Sequence, residues 1–414
     1  MRIFVWHGYL LAGTGSNIYA RQLAREWSGE GHEVVVFSQE PHPERFDLGG
    51  AETVRPDVGG LLPVFVVDEY EGYEVKRVQD CTRAELEAWA EANAAAMRGR
   101  LPADFVFVNH VLMGGPVGAA VGIPYVVKAH GSELEYSMRG NPELSAWGRE
   151  ALAGAKATIV GSEHIREVLA EVCDHTENVH EIPPGVDVEL WRPAPRGEAL
   201  AALLAESRKD PPNPGNANER LPDEGNADRL GAFLADDRAT VVYFGKLIEN
   251  KGVQVLFEAL RGVDARVLVV GFGDYRAELE RLAEGLDALF TGPLEHRHLV
   301  HLLALADASV VPSIFPEAFG MVAAESAAAG CPPIVANHSG LAEIAQGLER
   351  FYPPELRDLP SFASGDALDL RAKLLEQLAL GPGEREALRA AAREAGVELW
   401  SWTSVARRIL DAAR

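Results

Sequence analysis

Two glutamates stand eight residues apart, Glu317 and Glu325, in a stretch otherwise built from small and apolar residues, PSIFPEAFGMVAAESAAAGCPPIVA. Pro316 disfavours helix at Phe315, and Gly320 lets the backbone come close to a ligand. The pattern therefore predicts a loop carrying Glu317, then a helix from about Gly320 to Gly330 with Glu325 on its second turn. The amides of Phe319, Gly320, Met321 and Val322 would lie at the positive helix end. Carboxylates accept hydrogen bonds from sugar or ribose hydroxyls, and such amides donate to phosphate oxygens. The same two glutamates also fit solvated charges on a surface helix, or the carboxylate pair of a glycosidase.

Lys246 and Lys251 lie within VVYFGKLIENKGV, just after a strand. Ammonium groups there suit a diphosphate, with solvated surface lysines as the plain alternative. His130 closes IPYVVKAHG and precedes a glycine, so its ring can face a cleft; His110, after FVFVNH, has a similar place. Either ring could equally hydrogen-bond its own backbone neighbours. Gly13-Thr14-Gly15-Ser16 precedes a helix and has the make-up of an anion-binding turn. Ile18 stands where the third glycine of a dinucleotide fingerprint belongs, and the G-x-x-x-x-G-K-[ST] pattern is also missing, so an ordinary strand-to-helix turn explains it as well. No HExxH, GxSxG, kinase signature or aspartate cluster suited to a metal occurs, and no essential metal site is expected.

The elements that must carry these residues read as two βα series. RIFVWHG, HEVVVFSQ, FVFVNH, IPYVVKAHG and ATIVGS are near-continuous apolar runs separated by helical stretches such as NIYARQLAREWSGEG and EHIREVLAEV. Such runs indicate a parallel sheet covered on both faces. From about Pro193 to Asp237 the chain turns rich in Pro, Asn, Gly and charge (DPPNPGNANERLPDEGNADRLGA), and a flexible insertion or linker is expected. The rhythm restarts with ATVVYFG, ARVLVVGFG, ALFTG, ASVVPS and PPIVA, and ends in amphipathic helix through WSWTSVARRILDAAR. The expected organisation is a Rossmann-like domain over 1–192, an insertion over 193–237, a second Rossmann-like domain over 238–395, and a helix over 396–414 packing back toward the first. Two α/β doubly wound domains of this size would face each other across a deep cleft.

With 414 residues, two cores are the default. The net charge of −23 argues against a nucleic-acid surface and, more weakly, against docking on an anionic membrane. Cys81, Cys173 and Cys331 are scattered and odd in number, as in a reduced compartment. MRIFVWHG turns polar too early for a signal peptide, and no apolar run reaches the roughly 18 residues that span a bilayer. A cytoplasmic protein without stable membrane insertion is expected.

Taken in chain order, the pieces resemble glycosyltransferase family 4, the retaining enzymes with the GT-B fold. They are the E-x7-E stretch, GTGSNIYARQLAREWSGEGHEVVVF, the AHG strand end, IPPGVD (Ile182 to Asp187) and GKLIENKG. The resemblance runs over nearly the whole chain except 193–237. It implies a nucleotide-sugar donor, linked to UDP, GDP or ADP, as a substrate rather than a cofactor. Gly15 would offer its amide to the donor diphosphate, and Lys246 and Lys251 would neutralise it, Lys246 standing where the family usually has arginine. Glu325 would hold the ribose, Glu317 the donor-sugar hydroxyls, and the amides of Phe319, Gly320 and Met321 sugar and phosphate. His130 would touch the sugar near the reacting centre. A hexose would pass with retention to an acceptor hydroxyl, the leaving diphosphate assisting from the front face, and closure about the linker would exclude water. The acceptor, a small molecule, saccharide or lipid, is expected on first-domain loops, with Glu133, Tyr136 and Arg139 as candidate contacts and Glu135 beside them. A nucleotide-sugar epimerase on the same fold and a catalytically silent binding protein are the competing readings.

Overall fold

A computed structural model describes residues 1–11, 15–65 and 72–414. The chain forms two compact units, Met1–Gly185 with Trp402–Arg414, and Val186–Ser401.

The first unit is built on a seven-stranded sheet whose strands are all parallel. Its spatial order is Glu52–Val54, Glu33–Phe37, Arg2–Trp6, Phe105–Asn109, Tyr125–Lys128, Ala157–Val160, Val179–Glu181. The central strands are buried along almost their whole length, because helices cover both faces and leave no position for alternation. From Arg2–Trp6 the order runs outward one way and from Phe105–Asn109 the other, so the topological switch point lies between these two strands. The helix Gly15–Gly29 follows the first of them. Trp402–Ala413 lies against this helix: the Trp27 indole Nε1–H donates to Ala406 O at 3.1 Å, and the Tyr19 and Trp402 rings meet edge-on at 5.1 Å. Val405, Ile409 and Leu410 add the apolar stripe that seals this face of the sheet.

The second unit has a six-stranded parallel sheet in the order Ala288–Phe290, Arg266–Val270, Thr240–Phe244, Ala308–Val311, Pro333–Ala336, Ser361–Phe362. Its switch point falls between Thr240–Phe244 and Ala308–Val311.

The segment 193–237 differs from the flexible insertion that its composition suggests. It contains the helices Arg196–Ser207 and Asn226–Phe233, and Leu203, Leu230 and Leu234 are buried in the core of the second unit. The rest is held by polar ties. Buried Asn213 donates from Nδ2 to Asn218 O and Pro222 O, each at 3.0 Å, and its Oδ1 accepts from Asn218 N–H. Asp223 takes both guanidinium nitrogens of Arg276 at 2.8 and 2.6 Å, while its own N–H donates to Thr291 O. Asn and Asp side chains replace the apolar anchors that a hydropathy reading looks for. The boundaries shift accordingly. The first unit gives way to the second at Gly185, not at 192, and the C-terminal helical stretch breaks at Ser401, with Pro382–Trp400 belonging to the second unit.

Candidate active site

In the second unit the chemistry gathers at the carboxyl ends of the two switch-point strands. Asn250 O accepts from Ile314 N–H at 3.0 Å and from Ser313 Oγ at 3.2 Å, which ties the loop after Thr240–Phe244 to the loop after Ala308–Val311. Gly252 makes this approach possible: its φ is +69°, and a β-carbon there would stand 1.9 Å from Pro312 O. The result is an ion pair between the Lys251 ammonium and the Glu317 carboxylate, both partly buried. Lys246 is exposed and forms no ion pair among the described residues; Tyr243 fixes its backbone by donating from the phenol to Lys246 O at 2.7 Å.

Glu317 is also held through its main chain. Its N–H donates to Ser339 Oγ at 2.9 Å, and its carbonyl accepts from Gly340 N–H at 3.0 Å. His338 completes this clamp, with Nε2 at 2.7 Å from Ser313 O and Nδ1 at 3.0 Å from Ser339 Oγ. A carbonyl only accepts, so Nε2 carries a proton and donates to Ser313 O.

The helix starts at Met321, one residue after the expected Gly320, and ends at Ala328. Its first amides, those of Met321 and Val322, have no acceptor among the described residues. Glu325 lies one turn further on, makes no side-chain hydrogen bond or ion pair among the described residues, and burial pushes its carboxyl up to about 8. A third loop closes the set. Leu247 N–H donates to Phe272 O at 2.8 Å, and Gly271, with φ +145°, passes so close that a β-carbon would stand 1.8 Å from Gly245 O.

In the first unit the corresponding strand ends carry histidines. Asn109 ends one switch-point strand and bridges two rings: its Oδ1 is 2.9 Å from His130 Nε2 and its Nδ2 is 3.3 Å from His7 Nδ1. His7 Nε2 in turn lies 2.8 Å from Asn17 Oδ1, on the helix after the other switch-point strand. Burial, reinforced by His110, pulls His7 down to about 3 and His130 well below the ordinary histidine value, so both rings are neutral at physiological pH. His110 is buried with φ +70°, its ring 4.6 Å from that of His130 and 4.8 Å from Phe65. Gly15 is the exposed first residue of its helix, whereas Gly13 and Thr14 of the same turn lie outside the described residues.

This geometry is now matched by sequence. Residues 13–190 match the family described as Glycosyltransferase Family 4, and residues 228–356 match Glycosyl transferases group 1, so that together the two reach over most of the chain. The chain belongs to glycosyltransferase family 4. Its fold is GT-B. A GDP-mannose-dependent alpha-(1-6)-phosphatidylinositol monomannoside mannosyltransferase of Mycobacterium tuberculosis is 27% identical over 304 residues, covering 70% of this chain and 69% of its own. A D-inositol 3-phosphate glycosyltransferase of Jonesia denitrificans is 24% identical over 427 residues, covering 96% and 90%. Among solved structures, Anabaena HepE in complex with UDP and glucose superposes with a TM-score of 0.62 at 16% identity, over 99% of this chain and 98% of that one. Sucrose-phosphate synthase from Thermosynechococcus elongatus gives 0.60 at 21% identity, over 99% and 97%.

Within this family 4 glycosyltransferase, Lys246, Lys251, Glu317, Gly320, Met321 and Glu325 come together at one switch point, with Phe319 buried beneath them, and His130 and Gly15 lie at the strand ends of the other unit. One acceptor candidate is corrected. Glu133 is fully buried, and its carboxylate accepts from the N–H groups of Val111, Leu112 and His130 at 2.8 to 3.1 Å. These amides start a turn without helical partners, and a buried carboxylate satisfies them. Tyr136 and Arg139 are exposed, Arg139 paired with Glu135 and Glu171. Sequence patterns do not single out His7, Asn109, His338, Ser339 or the Gly271–Gly273 loop. Asn109 is the last residue of a buried strand and the others lie within three residues after the end of one, and that position was the available signal.

Proposed function

We propose that this family 4 glycosyltransferase moves a hexose from a nucleotide-diphosphate sugar to an acceptor hydroxyl with retention of anomeric configuration. The observation that carries this reading is the Lys251–Glu317 pair at the switch point, beside the amides of Met321 and Val322, which have no acceptor among the described residues. A cation and two amides suit a diphosphate, and a carboxylate next to them suits the hydroxyls of the sugar it carries. Lys246 adds a second cation, Glu325 takes the ribose, and His130 and Gly15 act at the sugar and the diphosphate. In the transfer the bond from the anomeric carbon to the diphosphate oxygen breaks. The acceptor oxygen bonds to that carbon from the same face, and its proton passes to the departing diphosphate oxygen. Lysines and amides stabilise the charge that develops there. No bound cofactor enters this reading.

The named substrates of the similar proteins support GDP-mannose as the first donor to try and an inositol phosphate as the first acceptor. The test is NMR of the product formed from a panel of UDP-, GDP- and ADP-sugars with such acceptors. A product whose anomeric configuration equals the donor's is expected, and an inverted product would overturn the mechanism. Conversion of donor to its epimer without acceptor would establish the isomerase reading, and nucleotide binding without any turnover the silent one.

A further inference from the structure

The segment 213–225 is tied down beside the donor side of the second sheet, and it delivers one cation there. The guanidinium carbon of Arg220 lies 5.6 Å from the centroid of the Phe272 ring, while the side chain is exposed and forms no ion pair among the described residues. Phe272 belongs to the loop whose carbonyl receives Leu247 N–H, so Arg220 sits next to the lysine loop. By strand order it lies on the flank of Thr240–Phe244 opposite to Glu317. The anchors are close on both sides: Asp223 N–H and Asn226 Nδ2 both donate to Thr291 O, and Gly271 N–H donates to Gly292 O. A long, exposed side chain is thereby carried on a tied-down backbone.

We propose that Arg220 contacts the base of the donor nucleotide and selects bases that present ring carbonyl oxygens, guanine or uracil, over adenine. This rests on the donor reading above, in which the sugar lies at Glu317 and the diphosphate at Lys246 and Lys251. The nucleoside then extends to the other flank of the lysine loop, where Phe272 offers an aromatic face and Arg220 a planar fork of N–H donors. A guanidinium only donates, so it pairs with O6 and N7 of guanine or with a uracil carbonyl. Adenine places an amino group where guanine has O6, and two donors then oppose each other.

The experiment is calorimetric titration of GDP, UDP and ADP into the parent protein and into R220A, R220K and K251A, each checked for unchanged thermal unfolding. The parent is expected to bind GDP or UDP more tightly than ADP. R220A should lose about tenfold for the preferred nucleotide and less than about twofold for ADP, with R220K closer to R220A than to the parent. Equal loss for all three nucleotides would make Arg220 a general phosphate cation and overturn the proposal, as would full rescue by R220K or no loss at all. K251A separates the two readings. If it weakens all three nucleotides while R220A changes none, the donor site stands and the base contact falls. If K251A also changes nothing, the donor reading itself falls.

Discussion

The Lys251 ammonium is paired with the Glu317 carboxylate across the switch point of the second sheet. A cation assigned to phosphate thus has as its counter-ion the carboxylate assigned to sugar. Glu317→Gln leaves Lys251 its whole charge for a diphosphate. This variant is expected to bind free nucleoside diphosphate as tightly as the parent or more so, while transfer falls by about 10². Calorimetry and initial rates on the same preparation read the two effects. A parallel loss of both would mean that Glu317 holds the loop rather than the sugar.

Lys251→Ala and Glu325→Ala are each expected to cut transfer by about 10² or more, roughly 3 kcal/mol of transition-state stabilisation. Initial rates at saturating acceptor measure this. Near-normal turnover in both would sink the site assignment.

With Glu325 in the proposed donor site, donor binding is expected to depend on pH. Its carboxyl is raised to about 8 by burial, so it is mostly protonated at pH 7, and in the proposed site it would gain a negative charge at the ribose, near the donor diphosphate, as pH rises through 8. Donor affinity is expected to hold between about pH 6 and 7 and to fall above 8, and Glu325→Gln to flatten the profile. The linkage to stability has the same sign. Between the ordinary carboxyl value and about 8 the folded protein keeps a proton that the unfolded chain has lost, so this group costs stability as pH rises through that window. Urea unfolding of parent and Glu325→Gln at about pH 5 and 8.5 should show the variant gaining at the higher pH.

Asp223 is the buried anchor of 213–225. Asp223→Ala removes the buried carboxylate that Arg276 and Arg229 share, Arg276 keeping only the exposed Glu280, and is expected to cost about 2 kcal/mol. Urea unfolding gives the loss, and limited trypsin digestion should reveal faster cleavage after Arg220. An unchanged digestion pattern would show that the segment is held without this ion pair.

Asn109 orients His130 from behind. Asn109→Ala is expected to lower kcat by about tenfold with little change in the donor KM, since the histidine ring loses its bearing but the phosphate contacts remain. A drop confined to KM would place Asn109 in donor binding instead.

The βα rhythm was legible because strands buried on both faces write themselves as unbroken apolar runs, and VVYF and RVLVV sit where they were expected. The placement of Glu317 on a loop and of Glu325 on a helix was legible because Pro316 and Gly320 punctuate the stretch around them. Glu133 was not. A carboxylate that caps three buried amides has the same letter as one on the surface, and only the fold brings Val111 and Leu112 to it. The His7–Asn109–His130 cluster escaped for a related reason, its members being joined by sheet order rather than by spacing. In 193–237 the few buried leucines are outnumbered by asparagines and prolines whose ties are local and specific, and composition averages such ties away.

Trp402–Arg414 completes the first unit, yet all of Val186–Ser401 precedes it in the chain. A ribosome therefore delivers the entire second unit while the first still lacks the helix that covers Trp27 and Tyr19. During synthesis the face of the first sheet that carries Tyr19 and Trp27 waits for its last covering helix until Val186–Ser401 has been made. The first unit to emerge is therefore the one whose last piece comes at the very end of the 414 residues.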